Sequence, residues 1–255
     1  MPVILITGAS SGIGAALARH YAAPGTTLIL QGRDRPRLEA IAEACRTKGA
    51  AVETERLDIR EREAVATWLT AADQRRAIDL VIVNAAINGG DPGGDVETEA
   101  MAFETVDVNL VGALNVALPC VTLMRARGHG QIALVSSLAA FAPLPDAPAY
   151  SGTKAALLAH GLALREKLKP YGVRINVVTP GYVKTAMGGE YQGWRPLEIS
   201  AEDAARRIAR GLARNQDIVA FPWILAAAAR GAALLPEFLR RLGMSGFTFK
   251  IRADR

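Results

Sequence analysis

Apolar runs rich in β-branched residues alternate with helical segments along most of this chain. The predicted strands are 3–7, 26–31, 51–57, 79–84, 131–136, 173–179 and 217–221. The predicted helices are 12–23, 34–48, 61–73, 98–127, 149–169 and 201–214. Strands that are apolar throughout are buried on both faces, which is typical of a parallel sheet. Since crossovers between parallel strands are right-handed, the alternation predicts an α/β fold with a doubly wound sheet and helices on both faces.

Three glycines lie in the segment TGASSGIG, residues 7–14, between the first strand and the first helix. Backbone N–H groups at a helix N-terminus bind anions, and the helix dipole favours negative charge there. Gly8 permits a sharp turn, Gly12 leaves room for a pyrophosphate, and Gly14 lets the helix pack close to the sheet. In this context the segment favours dinucleotide binding in a Rossmann fold over an ordinary turn.

A tyrosine and a lysine lie four residues apart in YSGTK, at the start of a predicted helix. This spacing puts Tyr150 and Lys154 on one helix face, where an ammonium lowers the pKa of a phenol from about 10. Such a tyrosine exchanges a proton with a hydroxyl or carbonyl near neutral pH. Ser137 follows the strand 131–136 at the carboxyl edge of the sheet, where open α/β sheets bind ligands. Taken alone, the pair is more often a solvated helix face and the serine a turn residue.

Six motifs occur in one order, and together they are far more specific than any one of them. They are TGASSGIG, NAA at 84–86, Asn109, Ser137, YSGTK and PG at 180–181. In this order they resemble the classical short-chain dehydrogenase/reductase family, over residues 3 to about 221. The resemblance implies a nicotinamide-dependent enzyme that interconverts a carbonyl and a secondary alcohol by hydride transfer. At Ala86 the family usually has glycine, and the extra methyl is expected at most to reduce cofactor affinity.

The same resemblance implies a role for each site residue. Tyr150 would be the general acid/base, Lys154 would lower its pKa and bind the nicotinamide ribose, and Ser137 would hold the reacting oxygen. Asn109 would hold a water that links Lys154 to solvent. The implied cofactor-binding residues are Gly8, Ser10, Ser11, Gly12, Ile13, Gly14, Arg33, Asp58, Ile59, Asn84, Ala85, Ala86, Tyr150, Lys154, Pro180, Gly181, Val183 and Thr185. Asp58 would bind the adenine amino group.

The end of the second strand, LILQGRDR, bears on which nicotinamide cofactor is used. An acidic residue there would hydrogen-bond the adenine ribose and repel a 2′-phosphate. Members of the family that use NAD often have Asp where this chain has Gly32, and Arg33 follows. Because a guanidinium binds phosphate through paired hydrogen bonds, we expect NADP(H) to be favoured over NAD(H). NAD(H) stays an alternative, because Asp34 and Arg35 follow in the same segment. Arg33 could also be a solvent-exposed loop residue with no contact to the cofactor.

Composition and charge restrict the class of protein. The chain has 255 residues, 50% of them hydrophobic and 22% charged, and shows no linker or repeat, which indicates one globular domain. We expect residues 1–221 to form the cofactor-binding and catalytic domain. Residues 218–255 hold six basic and two acidic residues and so carry most of the net charge of +5. A basic tail of this kind does not indicate a nucleic-acid partner, which usually meets a basic face across the fold.

Cysteine and histidine usage bears on compartment and metal content. Cys45, Cys120 and the three histidines have no ligand spacing, so no metal site is expected. The spacing of the two cysteines does not suggest a disulfide, and no secretory signal is visible. Both observations favour a cytoplasmic location. No apolar stretch is expected to reach the about 20 residues of a membrane span.

Residues 222–255 continue with apolar helical character, and Pro222 and Pro236 bracket one predicted helix. We expect a C-terminal helical extension packed on the same domain, with a substrate cover, a subunit contact and peripheral contact with an anionic membrane as alternatives. The resemblance implies a homodimer through 98–127 and 149–169, since the extension would obstruct the family's other interface. Residues 186–200 are expected to form a substrate lid whose Met187, Tyr191 and Trp194 line an apolar pocket or anchor the loop.

Two other classes of function remain open. A nucleotide-binding regulator could keep the fold without turnover, although Tyr150 and Lys154 are both present. Sugar-nucleotide epimerases and dehydratases of related fold resemble TGxxGxxG, whereas this chain has TGxxxGxG and is short. The small-molecule substrate is not indicated by any motif.

Overall fold

The protein is described from a computed structural model that covers residues 1–91, 95–189, 191–192, 194–232 and 250–251. Its strands are β1 (Val3–Thr7), β2 (Thr27–Gln31), β3 (Ala51–Glu55), β4 (Leu80–Val83), β5 (Gly130–Val135), β6 (Val173–Pro180), β7 (Val183–Lys184), β8 (Tyr191–Gln192), β9 (Ile199–Ser200), β10 (Ile218–Phe221) and β11 (Lys250–Ile251). Its helices are α1 (Gly12–Tyr21), α2 (Arg35–Arg46), α3 (Arg62–Arg75), α4 (Glu99–Val106), α5 (Ala113–Arg127), α6 (Pro148–Leu168), α7 (Ala186–Gly189), α8 (Ala201–Ala213) and α9 (Trp223–Ala232).

Seven strands form one parallel sheet in the order β3-β2-β1-β4-β5-β6-β10, which confirms the predicted doubly wound fold. In β1, Ile4 lies opposite Leu28 on one side and Leu80 on the other. Strands β2 and β3 follow β1 on one side of the sheet, and strands β5, β6 and β10 follow β4 on the other side. The gap between these two strands is therefore the topological switch point, where α/β sheets of this kind bind ligands.

The side chains of the central strand alternate between two hydrophobic clusters, one on each face of the sheet. Ile4 and Ile6 belong to the cluster covered by α1, α2 and α8. Val3 and Leu5 belong to the cluster covered by α3, α5 and α6. All four are buried, and burying one such side chain contributes about 1.5–3 kcal/mol. Burial on both faces explains why this strand is apolar at every position.

The predicted helix over 98–127 consists of three consecutive pieces: α4, a π-helical segment at Asp107–Gly112, and α5. By length and composition, Glu99–Arg127 could cross a membrane, with a mean hydropathy of 1.6 in its most apolar window. The expectation that no such stretch occurs is therefore wrong. In the fold, 44% of that window is buried, and the helix packs against α3, α6 and β5 as a core helix does.

Strand and helix boundaries in the main sheet agree with the predicted ones to within two residues. The short elements between β6 and α8 were not expected. There β7 pairs with β9, and β8 pairs with β11 near the C-terminus. These pairings follow from contacts between distant segments, which local hydrophobic patterns do not report.

The described part of the C-terminal extension is α9, with the β11 strand beyond it. Helix α9 packs against β10 and against a short 3₁₀ helix at Leu138–Ala140. Pro236 and the basic residues Arg240, Arg241, Arg252 and Arg255 lie outside the described residues. Peripheral membrane contact through this tail therefore stays a prediction.

Candidate active site

The glycine loop between β1 and α1 leaves no space for a side chain at Gly8 or Gly14. Gly8 and Gly12 have φ values of +66° and +54°, which favour glycine. A Cβ on Gly14 would lie 2.2 Å from the Gly8 carbonyl oxygen, and a Cβ on Gly8 would lie 2.8 Å from Ala85 Cα. Gly14 thus permits the helix to pack against the loop itself, while Gly12 faces Thr185 across the cleft.

Two side chains brace this loop. Asn84 donates from Nδ2 to the carbonyl oxygens of Thr7 (3.0 Å) and Gly8 (3.3 Å), which joins the end of β4 to the loop. Gln31, at the end of β2, accepts from the Gly8 N–H at 3.2 Å and donates to the Leu57 carbonyl at 2.5 Å. Asn84 therefore braces the loop from the end of β4, whereas Gln31 was not expected at the site.

A cavity of about 700 Å³ runs along the carboxyl edge of the sheet from the glycine loop to Tyr150. All but one of the implied cofactor-binding residues line it: Gly8, Ser10, Ser11, Gly12, Ile13, Arg33, Asp58, Ile59, Asn84, Ala85, Ala86, Tyr150, Lys154, Pro180, Gly181, Val183 and Thr185. Gly14 does not, because it packs against Gly8 and Asn84. The backbone cradle and the volume of the cavity fit a dinucleotide.

Ser137, Tyr150 and Lys154 come together at one end of this cavity. Ser137 accepts from the Ala139 N–H at 3.1 Å, and its side chain hydrogen-bonds that of Tyr150. Lys154 is 2% exposed, and its Nζ lies 5.5 Å from the centre of the Tyr150 ring. The same ammonium donates to the Val135 carbonyl at 3.1 Å, so α6 is tied to the end of β5. The structure thus assembles a proton donor, a hydroxyl and a cation in one place.

The direction of the Tyr150 pKa differs from the sequence expectation. Burial raises the pKa of the phenol above its ordinary value of 10, and the hydrogen bond with Ser137 only partly opposes the rise. Burial also lowers the pKa of Lys154 to about 8, because an ammonium withdrawn from water loses its hydration. The raised Tyr150 pKa differs from the expected lowering by Lys154, because burial is the largest influence on the phenol and it disfavours the phenolate.

Asn109 lies in the π-helical segment and is fully buried. Its Oδ1 accepts from the Ile87 N–H at 2.7 Å, and its Nδ2 donates to the Ile87 carbonyl at 2.9 Å. It is not among the residues that line the cavity. Its observed contacts fix the segment after β4, and the water-holding role stays a prediction.

Asp58 is already engaged by a neighbouring guanidinium. Arg60 donates from Nη2 and Nε to its carboxylate at 2.7 and 3.1 Å, which lowers the pKa of Asp58 below its usual value. Arg33 is farther away, with its Nη1 at 3.9 Å from Oδ2. The Arg60 backbone N–H also donates to Oδ1 at 3.0 Å, so both carboxylate oxygens are engaged and the binding of an adenine amino group by Asp58 stays a prediction.

Several lining residues were not expected from the sequence. Arg37 lines the cavity from the first turn of α2, and its spacing of four from Arg33 was an available signal. Three residues of α9 also line it: Leu225, Ala228 and Ala229. A substrate cover was one alternative for this extension, but no local pattern indicates which of its residues reach the cleft.

The expected substrate lid is only partly at the cavity. Met187 lines it, together with Arg195 and Glu198. Trp194 is 68% exposed and is not among the lining residues of the described chain. The Tyr191 side chain lies outside what the structure describes.

Comparison with known proteins agrees with this site. A family model described as short chain dehydrogenase matches residues 2–196. An uncharacterized oxidoreductase of Myxococcus xanthus strain DK1622 is 33% identical over 238 residues, covering 91% of this chain and 92% of the relative.

Two solved structures of equal sequence identity to this chain contain different nicotinamide cofactors, NADPH in one and NAD⁺ in the other. A short-chain dehydrogenase from Sphingobium yanoikuyae in complex with NADPH has a TM-score of 0.80 and 28% identity, covering 100% of this chain and 98% of that one. An NAD⁺-bound xylitol dehydrogenase has a TM-score of 0.68 and 28% identity, covering 71% and 70%. This chain belongs to the short-chain dehydrogenase/reductase family, whose members are nicotinamide-dependent oxidoreductases that act on CH–OH groups.

Proposed function

We propose that the protein is an NADP(H)-dependent oxidoreductase that interconverts a ketone and a secondary alcohol, with Tyr150 as the general acid/base. The observation that carries the proposal is that Ser137, Tyr150 and the buried Lys154 meet at the end of a dinucleotide-sized cavity. A regulator without turnover would have no need of this constellation.

When bound, the nicotinamide cofactor supplies the hydride that adds to the carbonyl carbon. Tyr150 donates its phenolic proton to the carbonyl oxygen, which completes the alcohol and leaves a phenolate. Ser137 holds the carbonyl oxygen by a hydrogen bond. The Lys154 ammonium stabilises the phenolate until a proton from water restores the phenol. Because burial raises the pKa of Tyr150, the phenol is protonated at neutral pH, as reduction requires.

The charges at the ribose end of the cavity support NADP(H). Arg33 and Arg37 both line the cavity, and Arg33 is 56% exposed on its side chain with one long ion pair. The nearby acid, Asp34, caps α2 by accepting from the Arg37 N–H at 3.0 Å and pairs with Arg37 Nε at 3.2 Å. Gly32, at the end of the β2 segment, offers no carboxylate that would repel a 2′-phosphate. Two guanidinium groups are thus available for a 2′-phosphate.

The other end of the cavity supports an uncharged substrate with apolar substituents. Its walls include Leu138, Leu144 and Met187, and α9 adds Leu225. The charged residues that the described chain adds at this end, Arg195 and Glu198, pair with each other at 2.8 Å and so offer no net charge to a ligand. Apolar walls with few polar groups bind apolar ligands by burial of surface.

We expect the protein to oxidise NADPH with bulky apolar ketones and to show at least about tenfold lower kcat/KM with ketones that carry a carboxylate, because one unpaired buried charge costs well above 1.4 kcal/mol. The measurement is loss of NADPH absorbance across a matched panel of neutral and anionic ketones. A reversed order would contradict the substrate class. Tight NADPH binding without turnover on any ketone, aldehyde or 3-oxoacyl thioester would instead favour a regulator.

We also propose a homodimer through the helix at Glu99–Arg127. Phe103, Val111 and Leu118 are exposed on it at spacings of eight and seven residues, which places them on one face. We expect light scattering to give twice the chain mass of 27.0 kDa, and L118E to give the monomer. I224E, on the exposed face of α9, is the matched control and should stay dimeric. A tetramer, or a dimer unaffected by L118E, would overturn the proposal.

A further inference from the structure

Glu97 joins two segments that meet beside Tyr150. Its Oε1 accepts from the Ala149 N–H at 2.7 Å, and its Oε2 accepts from the Gly90 N–H at 3.2 Å. Both partners are backbone groups, and Glu97 is not among the residues that line the cavity. One carboxylate therefore holds the first turn of α6 and the loop after β4 together.

The bond to Ala149 supplies a cap that α6 otherwise lacks. The helix begins at Pro148, and its N-cap residue, Ala147, makes no side-chain capping hydrogen bond. The first N–H groups of a helix have no partner within the helix, and a carboxylate there also interacts favourably with the helix dipole. Glu97 therefore fixes the start of the helix that carries Tyr150 and Lys154.

The hydrogen bond from the Gly90 N–H to Glu97 holds the loop at residues 88–90 against Tyr150. A Cβ on Gly89 would lie 3.1 Å from Tyr150 Cβ and 3.2 Å from its backbone nitrogen, so this loop packs directly on the tyrosine. Gly90 has a φ of +96°, a conformation that glycine adopts readily. Asn88 donates to the Met187 carbonyl at 2.8 Å, which connects this loop to the expected substrate lid.

We propose that Glu97 is a positioning residue: by bridging Ala149 and Gly90 it sets the place of the Tyr150 phenol relative to the carbonyl oxygen. The proposal rests on the function proposed above. A displacement of about 1 Å at a reacting group can cost about 10²-fold in rate. Since the glycine loop is held by other residues, loss of Glu97 is expected to act on kcat and not on cofactor affinity.

The test compares E97A and E97Q with E99A, which alters an exposed acid two residues further along the chain. We expect E97A to lower kcat for ketone reduction at least tenfold, with the Kd for NADPH, measured by its fluorescence, within twofold of wild type. E97Q keeps one acceptor oxygen and should recover part of the loss. E99A should leave both quantities unchanged.

Hydrogen exchange gives a second readout that needs no turnover. In E97A, backbone amides at residues 89–90 and 149–151 are expected to exchange faster than in wild type, while those of α1 keep their rates. Unchanged exchange at these amides, or a wild-type kcat in E97A, would overturn the positioning role. Parallel losses of kcat, NADPH affinity and Tm would also overturn it, since they indicate general destabilisation. A wild-type protein without turnover would refute the proposed function and leave the exchange result to decide on the bridge.

Discussion

Replacing Tyr150 by phenylalanine is expected to lower kcat for ketone reduction by about 10²–10⁴-fold, the range of a positioned general acid. The substitution removes the proton that completes the alcohol and the hydrogen bond with Ser137. It leaves the glycine loop and the Asn84 bonds intact, so the Kd for NADPH should stay within twofold of wild type. The measurements are steady-state kinetics on a neutral ketone and a fluorescence titration with NADPH.

The matched control for this change is Y171F, which removes a phenol from an exposed tyrosine that stacks with Arg125 far along the chain from the site. It should keep wild-type kcat. If Y150F turned over at the wild-type rate, proton transfer by Tyr150 would be refuted. If Y150F lost kcat and cofactor binding together, the residue would act mainly in holding the dinucleotide.

Replacing Arg33 by alanine is expected to lower kcat/KM for NADPH by about 10- to 100-fold and to leave kcat/KM for NADH near its wild-type value. One charge-assisted hydrogen bond contributes about 1.5–3 kcal/mol, and each 1.4 kcal/mol is a factor of about ten. Among the described residues, the Arg33 guanidinium is held by an ion pair with Asp58 at 3.9 Å, which leaves it accessible to a 2′-phosphate. R37A should show a smaller loss, since Arg37 also pairs with Asp34.

R35A is the control for both variants, because Arg35 lies between them in sequence and is not among the cavity-lining residues that the structure describes. It should preserve the ratio of kcat/KM values for the two cofactors. A wild-type protein that prefers NADH, with that preference kept in R33A, would refute NADP(H) as the favoured cofactor. An unchanged NADPH preference in R33A/R37A would place the phosphate elsewhere.

Local patterns predicted the sheet and the cofactor cradle well, because both depend on burial and backbone conformation. The apolar residues of β1 alternate between two cores, and Gly14 meets Gly8 within one short loop. Both constraints act on residues that are close together in the sequence. The doubly wound fold and the glycine loop could therefore be predicted from local patterns, whereas the other lining residues, as far as Thr185, were implied by the family resemblance.

Features that depend on the distant environment could not be predicted in the same way. The direction of the Tyr150 pKa follows from how deeply the folded chain buries the phenol, and the spacing to Lys154 does not report burial. Leu225 reaches the cavity only because α9 folds back over the 3₁₀ helix after β5. The cytoplasmic location stays a prediction, because a fold carries no information on compartment.

The cradle around Gly8 and Gly14 is built from main-chain atoms at separations that admit no side chain. This surface has no side chain to substitute, and the pyrophosphate that it would bind is common to NAD(H) and NADP(H). Substitutions that change the preference between NAD(H) and NADP(H) are therefore expected in the stretch 33–37. These residues are exposed to solvent, so substitutions there do not alter the hydrophobic core. That separation makes coenzyme preference a trait that can be altered at little expense to folding stability.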